Sequence, residues 1–148
     1  MSDKDDFTDE EWRVVSEAPL LISLAMEAVG PHGPISLVKE SAASAKAISQ
    51  PPDHGPANTI IAQIALAARG KEARQDARHH KAPTIPTMVD ALLDDLAPAN
   101  IALAKLPADE AAGVRAWFGD IAEAIASAAK QVSPEEQKVI VRIRATFT

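Results

Sequence analysis

Residues 107–132, PADEAAGVRAWFGDIAEAIASAAKQV, carry the clearest secondary-structure signal in the chain. Pro107 suits the start of a helix, and Asp109 and Glu110 place negative charge where it complements the helix dipole. Apolar residues then recur every three or four positions, which predicts an amphipathic helix over 107–131. The apolar stripe consists of Val114, Trp117, Ile121, Ile125, Ala128 and Val132.

The remainder of the chain also has helical spacing. Thr8 and Glu11 form a capping box at the start of a first helical segment. Further helices are predicted at 34–49, at 56–69, from Thr87 onward and from Ser133 onward. Because no useful length alternates with the period of a strand, the sequence predicts an all-α fold. We expect a compact bundle of five to seven helices, with 56–69 and 107–131 at its centre.

Two prolines interrupt the helical patterns, and one polar segment divides the chain. Pro19 and Pro98 each lack the amide hydrogen that a helix interior needs, so each either kinks a helix or ends one. With 148 residues the chain has the length of one domain, 1–148. Within it, HHKAPTIPT at 79–87 is expected to be a polar linker between two helical halves.

Composition excludes several classes of function. Hydrophobic residues make up 47% and charged residues 24%, as in soluble globular proteins. A net charge of −6 repels nucleic acid on average. The acidic N-terminus is unlike a secretory signal, and no apolar run approaches the length of a membrane span. Cysteine is absent, which excludes disulfides and thiol chemistry and fits a reducing cytoplasm. We therefore expect a cytoplasmic protein that binds neither nucleic acid nor membrane.

The histidines do not predict a metal site. His32 and His54 flank a helix of about 15 residues, roughly 22 Å long, so they cannot share one ion. His79 and His80 are adjacent and diverge on a helix. The sequence also lacks a nucleophile elbow, a phosphate-binding glycine loop and a zinc-protease motif. We predict no catalytic residue, no metal and no cofactor.

A basic stripe is the sharpest local feature. Lys71, Arg74, Arg78 and Lys81 are spaced three, four and three residues apart, so they share one face if the segment is helical, and His80 lies among them. The favoured interpretation is a solvated helix face. The alternative is a binding site for an anionic small molecule, an acidic partner or the acidic N-terminal arm of another copy.

Four further residues are singled out by type and position. Trp12 and Trp117 are expected to anchor the core, with a place at an interface as the alternative. Glu17 and Glu27 lie in a mostly apolar segment, so they are the acids we expect to be half-buried.

Three stretches resemble a known family. They are FTDEEWRVVSEAPLLISLAMEAVGPHGPISLVKESAASAKAI, RAWFGDIAEAIASAAK and VSPEEQKVIVRI. Together they resemble a family of bacterial all-helical proteins that have an N-terminal tryptophan helix with "AP", a C-terminal VSxxE helix and no assigned activity. The segment VSPEEQKVI is more faintly similar to TerB-like helical domains. Their acidic site does not carry over, because the turn GPHGPISLVKE has no aspartate. The resemblance implies a bacterial helical protein.

These features together favour a non-catalytic interaction or regulatory module. We expect it to bind a protein partner or to self-associate as a homo-oligomer. The alternative is a protein that binds a small ligand or metal through the basic and histidine-containing segment 69–81.

Overall fold

The computed structural model describes residues 2–29, 34–70, 85–128 and 132–148. In these ranges the chain is helical and contains no strand, so the predicted all-α bundle is confirmed. The helices are α1 (Asp9–Val29), α2 (Pro34–Ser49), α3 (Asn58–Ala68), α4 (Ile85–Asp94), α5 (Ala97–Leu103), α6 (Ala108–Ala128) and α7 (Pro134–Thr146), with short 3-10 turns at Lys4–Asp6 and Gly55–Ala57.

Helices α1 and α6 form the centre of the bundle. Among the described helices, α1 contacts each of the other six. Helix α6 packs against α2, α3, α5 and α7 as well as α1. The sequence predicted that α3 would lie beside α6 at the centre of the bundle, because the sequence of α3 is apolar on almost all of its faces. That expectation is wrong for one face, since Leu66 is 67% exposed. The central position belongs to α1, which the sequence left open as one kinked helix or two shorter ones at Pro19.

The two prolines act differently. Helix α1 runs without interruption from Asp9 to Val29 with Pro19 inside it. The buried Ser23 hydroxyl donates to the Pro19 carbonyl at 3.0 Å and lies 2.6 Å from the Ser44 hydroxyl of α2. Around Pro98 the chain does break, because α4 ends at Asp94 and Pro98 stands in the first turn of α5.

Helix starts follow the capping signals closely. The Thr8 amide donates to Glu11 Oε1 at 2.8 Å, and the Glu11 amide donates to Thr8 Oγ1 at 3.2 Å. Ser133 and Glu136 make the same reciprocal pair at the start of α7, both at 3.1 Å. The predicted cap at Thr87 is wrong, because α4 already begins at Ile85. The last three residues of the expected linker 79–87 are therefore helical, and 79–84 lie outside the described ranges.

A cluster of aromatic rings joins α6 to its neighbours. Trp117 and Phe118 have ring centroids 5.5 Å apart, and Phe118 meets Phe147 edge-on at 4.9 Å. The indole N–H of the fully buried Trp117 donates to the Ala47 carbonyl of α2 at 3.1 Å. Burial and a satisfied donor make Trp117 a core residue. Among the described residues, no helix has both the length and the apolar character that a membrane crossing requires.

Candidate functional site: a charged cleft on helix α1

The residues proposed from the sequence fall into two groups. Lys71, Arg74, Arg78, His80 and Lys81, the basic segment, lie outside the described residues, so the structure does not bring them to any site. The two tryptophans are placed. Trp117 is buried in the core, which removes its ring from any surface of the folded chain. Trp12 is half-buried, and its ring lies 5.8 Å from that of Phe7.

A small cleft opens on one face of α1. Its volume is about 190 Å³. Five of its lining residues lie on α1 at helical spacing, and two come from the junction between α4 and α5. The lining residues are Glu10, Arg13, Val14, Glu17, Leu21, Asp95 and Pro98.

Arg13 organises the charges of the cleft. Its Nε and Nη2 donate to the two carboxylate oxygens of Glu10 at 3.1 and 2.6 Å. Its Nη1 donates to Glu17 Oε2 at 3.1 Å. The three residues are spaced three and four apart, so helix α1 alone brings them together. This arrangement fixes a guanidinium plane between an exposed and a buried carboxylate.

Glu17 is the unusual member of this group. Its residue is only 5% exposed, whereas Glu10 and Arg13 are largely open to water. Removing a carboxylate from water is costly unless charged and hydrogen-bonding partners replace the water. Arg13 supplies such a partner, and it also lowers the pKa of Glu10 by hydrogen bonding and by its charge. The buried Glu17 carboxylate is thus paired with Arg13 at the wall of the cleft.

The α4–α5 junction closes the opposite side. The Asp95 amide donates to the Ala91 carbonyl at 3.2 Å, which continues the hydrogen bonding of α4 by one residue before α5 begins at Ala97. Among the described residues that line the cleft, three carry a carboxylate and one carries a guanidinium, which is paired with two of those carboxylates. Such a lining attracts a cationic group, and its apolar residues can pack against an alkyl chain.

Burial of the other acids was only partly foreseen. Glu27 is half-buried as expected, and this burial raises its pKa. Glu110 and Glu136 are also buried, which the sequence did not predict. Both carboxylate oxygens of Glu110 accept hydrogen bonds from Ser2, whose position no local pattern reveals.

His54, just before the turn Gly55–Ala57, is linked to α6. Its Nε2 lies 3.1 Å from Asp120 Oδ2 on α6. Among the described residues, no group of three or more metal-ligating side chains comes together. The pair therefore fastens the turn Gly55–Ala57 to the outside of α6.

Comparison with family models, with curated proteins and with solved structures gave no match. The resemblance to bacterial all-helical proteins and to TerB-like domains stays a prediction from the sequence.

Proposed function

We propose that this protein is a non-catalytic interaction module of the bacterial cytoplasm, and that the cleft on α1 receives a lysine or arginine side chain of a protein partner. The observation that carries this proposal is the burial of the Glu17 carboxylate, paired to Arg13, in the wall of the cleft. The cysteine-free sequence supports the location in a reducing compartment.

The size of the cleft favours a side chain over a free ligand. Pockets for drug-sized ligands and cofactors enclose about 300–1,000 Å³. The cleft on α1, at about 190 Å³, is below that range. One extended basic side chain fits such a volume, because its alkyl stem is thin and its charged head can reach the rim.

The charge of the cleft selects the same occupant. A group entering between Glu17 and Asp95 meets carboxylates on α1 and on the α4–α5 junction. Among the described lining residues, Arg13 is paired with Glu10 and Glu17, and Asp95 adds a third carboxylate. A cationic side chain is therefore attracted, and an acidic one is repelled.

A basic peptide tests the proposal, with two neighbouring aspartates as a matched pair. Asp94 and Asp95 are both exposed, but only Asp95 lines the cleft. We expect a tetra-arginine peptide to bind the wild-type protein in isothermal titration calorimetry at low salt. Asp95→Asn should weaken binding about two- to fivefold, the effect of one exposed ion pair. Asp94→Asn makes the same change in net charge and should leave the affinity close to wild type.

Two results would overturn this proposal. One is the absence of peptide binding at low salt by the folded wild-type protein. The other is an equal loss of affinity in Asp94→Asn and Asp95→Asn, which would indicate attraction by the net charge of −6 rather than by the cleft.

The second candidate function comes from the spacing of the basic segment. Lys71, Arg74, Arg78 and Lys81 would share a helical face and could bind an anionic small molecule. In that case phosphate should raise the melting temperature of the wild-type protein but not of the Arg74→Glu, Arg78→Glu double variant.

A further inference from the structure

Helix α5 turns an uncharged side to solvent next to the cleft. Ala97, Pro98 and Ile101 are exposed, and so is Ala104 directly after the helix. Residues three, four and seven positions apart share one side of a helix, so these four residues form one continuous surface, the α5 face. Ile101 lies at its centre. At 73% it has the largest exposed fraction of the large apolar side chains among the described residues.

The fold does not depend on an isoleucine at this position. Three residues on the opposite side of α5 are buried in the core, namely Ala99, Ala102 and Leu103. Asn100 links the helix to α6, because its Oδ1 accepts a hydrogen bond from Arg115 Nε at 2.8 Å. Residues other than Ile101 therefore hold α5 in place, and the α5 face is presented on a fixed backbone.

The α5 face and the cleft on α1 are parts of one surface. Pro98 belongs to both, because it lines the cleft and lies on the α5 face. Ile101 follows Pro98 by one turn, which places the two Cβ atoms roughly 5–6 Å apart. Four residues after Ile101, Lys105 forms an ion pair with Glu11 of α1. Ile101 thus lies between two points at which this part of the chain meets α1.

The charges around this surface favour a basic partner. Among the described residues there, Arg13 and Lys105 are cations, and each is paired with glutamate side chains of α1. Asp95 adds a carboxylate on the other side of the cleft. Carboxylates therefore outnumber cations at the surface, and the exposed apolar side chain next to them belongs to Ile101. A segment that complements it carries a cation and an apolar group side by side.

We propose that the partner segment carries an apolar side chain two residues from its basic side chain, and that this apolar side chain packs on Ile101. The inference rests on the proposed function, since it assigns a second contact to the partner whose basic side chain enters the cleft. In an extended segment, side chains two residues apart point to the same side and lie about 6.5–7 Å apart. This spacing matches the one-turn separation of Pro98 at the cleft from Ile101.

Two peptides of equal charge test the contact. Each contains four consecutive arginines, flanked on both sides either by serine and then leucine or by two serines. In the leucine peptide, whichever terminal arginine enters the cleft has a leucine two positions away. The protein variants are Ile101→Ala and, as the matched control, Leu66→Ala. Leu66 is also an exposed apolar residue of a helix, but its helix α3 packs on α1, α2 and α6.

We expect the leucine peptide to bind the wild-type protein about three- to tenfold more tightly than the serine peptide in isothermal titration calorimetry at low salt, as partial burial of one apolar side chain would give. Ile101→Ala should remove most of this gain and leave the affinity for the serine peptide unchanged, because that peptide has no apolar group. Leu66→Ala should keep the gain.

The outcomes separate this inference from the proposed function. If neither peptide binds the folded wild-type protein, the proposed function fails, and the inference fails with it. If both peptides bind with equal affinity, the cleft still receives a basic side chain, but the contact with Ile101 is refuted. A leucine gain that survives Ile101→Ala, or that Leu66→Ala reduces equally, would also overturn the inference.

Discussion

Replacing Trp117 by alanine is expected to lower the free energy of unfolding by about 3–5 kcal/mol, the usual cost of removing a buried large aromatic side chain. Trp117 is fully buried between α6 and α2, so its removal leaves a cavity in the centre of the bundle. The variant also leaves the Ala47 carbonyl without its indole donor. Urea unfolding followed by circular dichroism measures the loss without relying on tryptophan emission.

Leu66→Ala is the control for this experiment. Leu66 is also a large apolar residue on a helix, but it is 67% exposed, so its truncation should change stability by less than about 0.5 kcal/mol. If Trp117→Ala and Leu66→Ala had similar small effects, Trp117 would not be part of the core.

Gly113→Ala is expected to destabilise the protein by about 1–3 kcal/mol, as overpacking does in a closely packed contact. A Cβ at Gly113 would approach Ala57 Cβ to less than 3.0 Å and the His54 carbonyl to 3.3 Å. Ala57 is the last residue of the turn Gly55–Ala57, which packs on α6, and His54 immediately precedes that turn. Because both atoms are fixed to the backbone, the turn itself must move.

Gly119→Ala on the same helix is the matched control. Its Cβ would meet the end of the Arg144 side chain, which can swing away at the cost of one exposed ion pair with Glu123. Both variants gain about 1 kcal/mol of helix propensity, so this gain cancels in the comparison. We expect Gly119→Ala to be the more stable variant by roughly 2 kcal/mol in urea unfolding. The reverse order would contradict the packing of the turn on α6.

Local signals in the sequence were sufficient to predict that the chain is helical and where several of its helices begin. The capping boxes at Thr8 and Ser133 marked two starts correctly, because the cap and its partner lie three residues apart in the chain. The prediction of Thr87 as a cap was wrong because α4 begins two residues earlier, at Ile85. Pro86 does not prevent this earlier start, since proline fits the first turn of a helix. Pro19 was ambiguous because the sequence does not show that α1 packs against six other described helices and stays continuous through the proline.

The candidate site was predictable only in part. Glu10, Arg13 and Glu17 share a face of α1 by spacing alone, and Glu17 was expected to be half-buried. Asp95 joins them only because α4 and α5 pack on α1, a contact about 80 residues distant in the chain. Ser2 and Glu110 are 108 residues apart, and neither has a local pattern that indicates the other. Such pairings depend on tertiary packing.

Native mass spectrometry of the untagged protein, purified gently from a bacterial cytoplasm, tests most directly whether this protein works by association. We predict masses at whole multiples of the bare chain, with a dimer whose share rises with protein concentration. A stoichiometric additional mass that is lost on denaturation would contradict the interaction module and identify a bound small ligand instead.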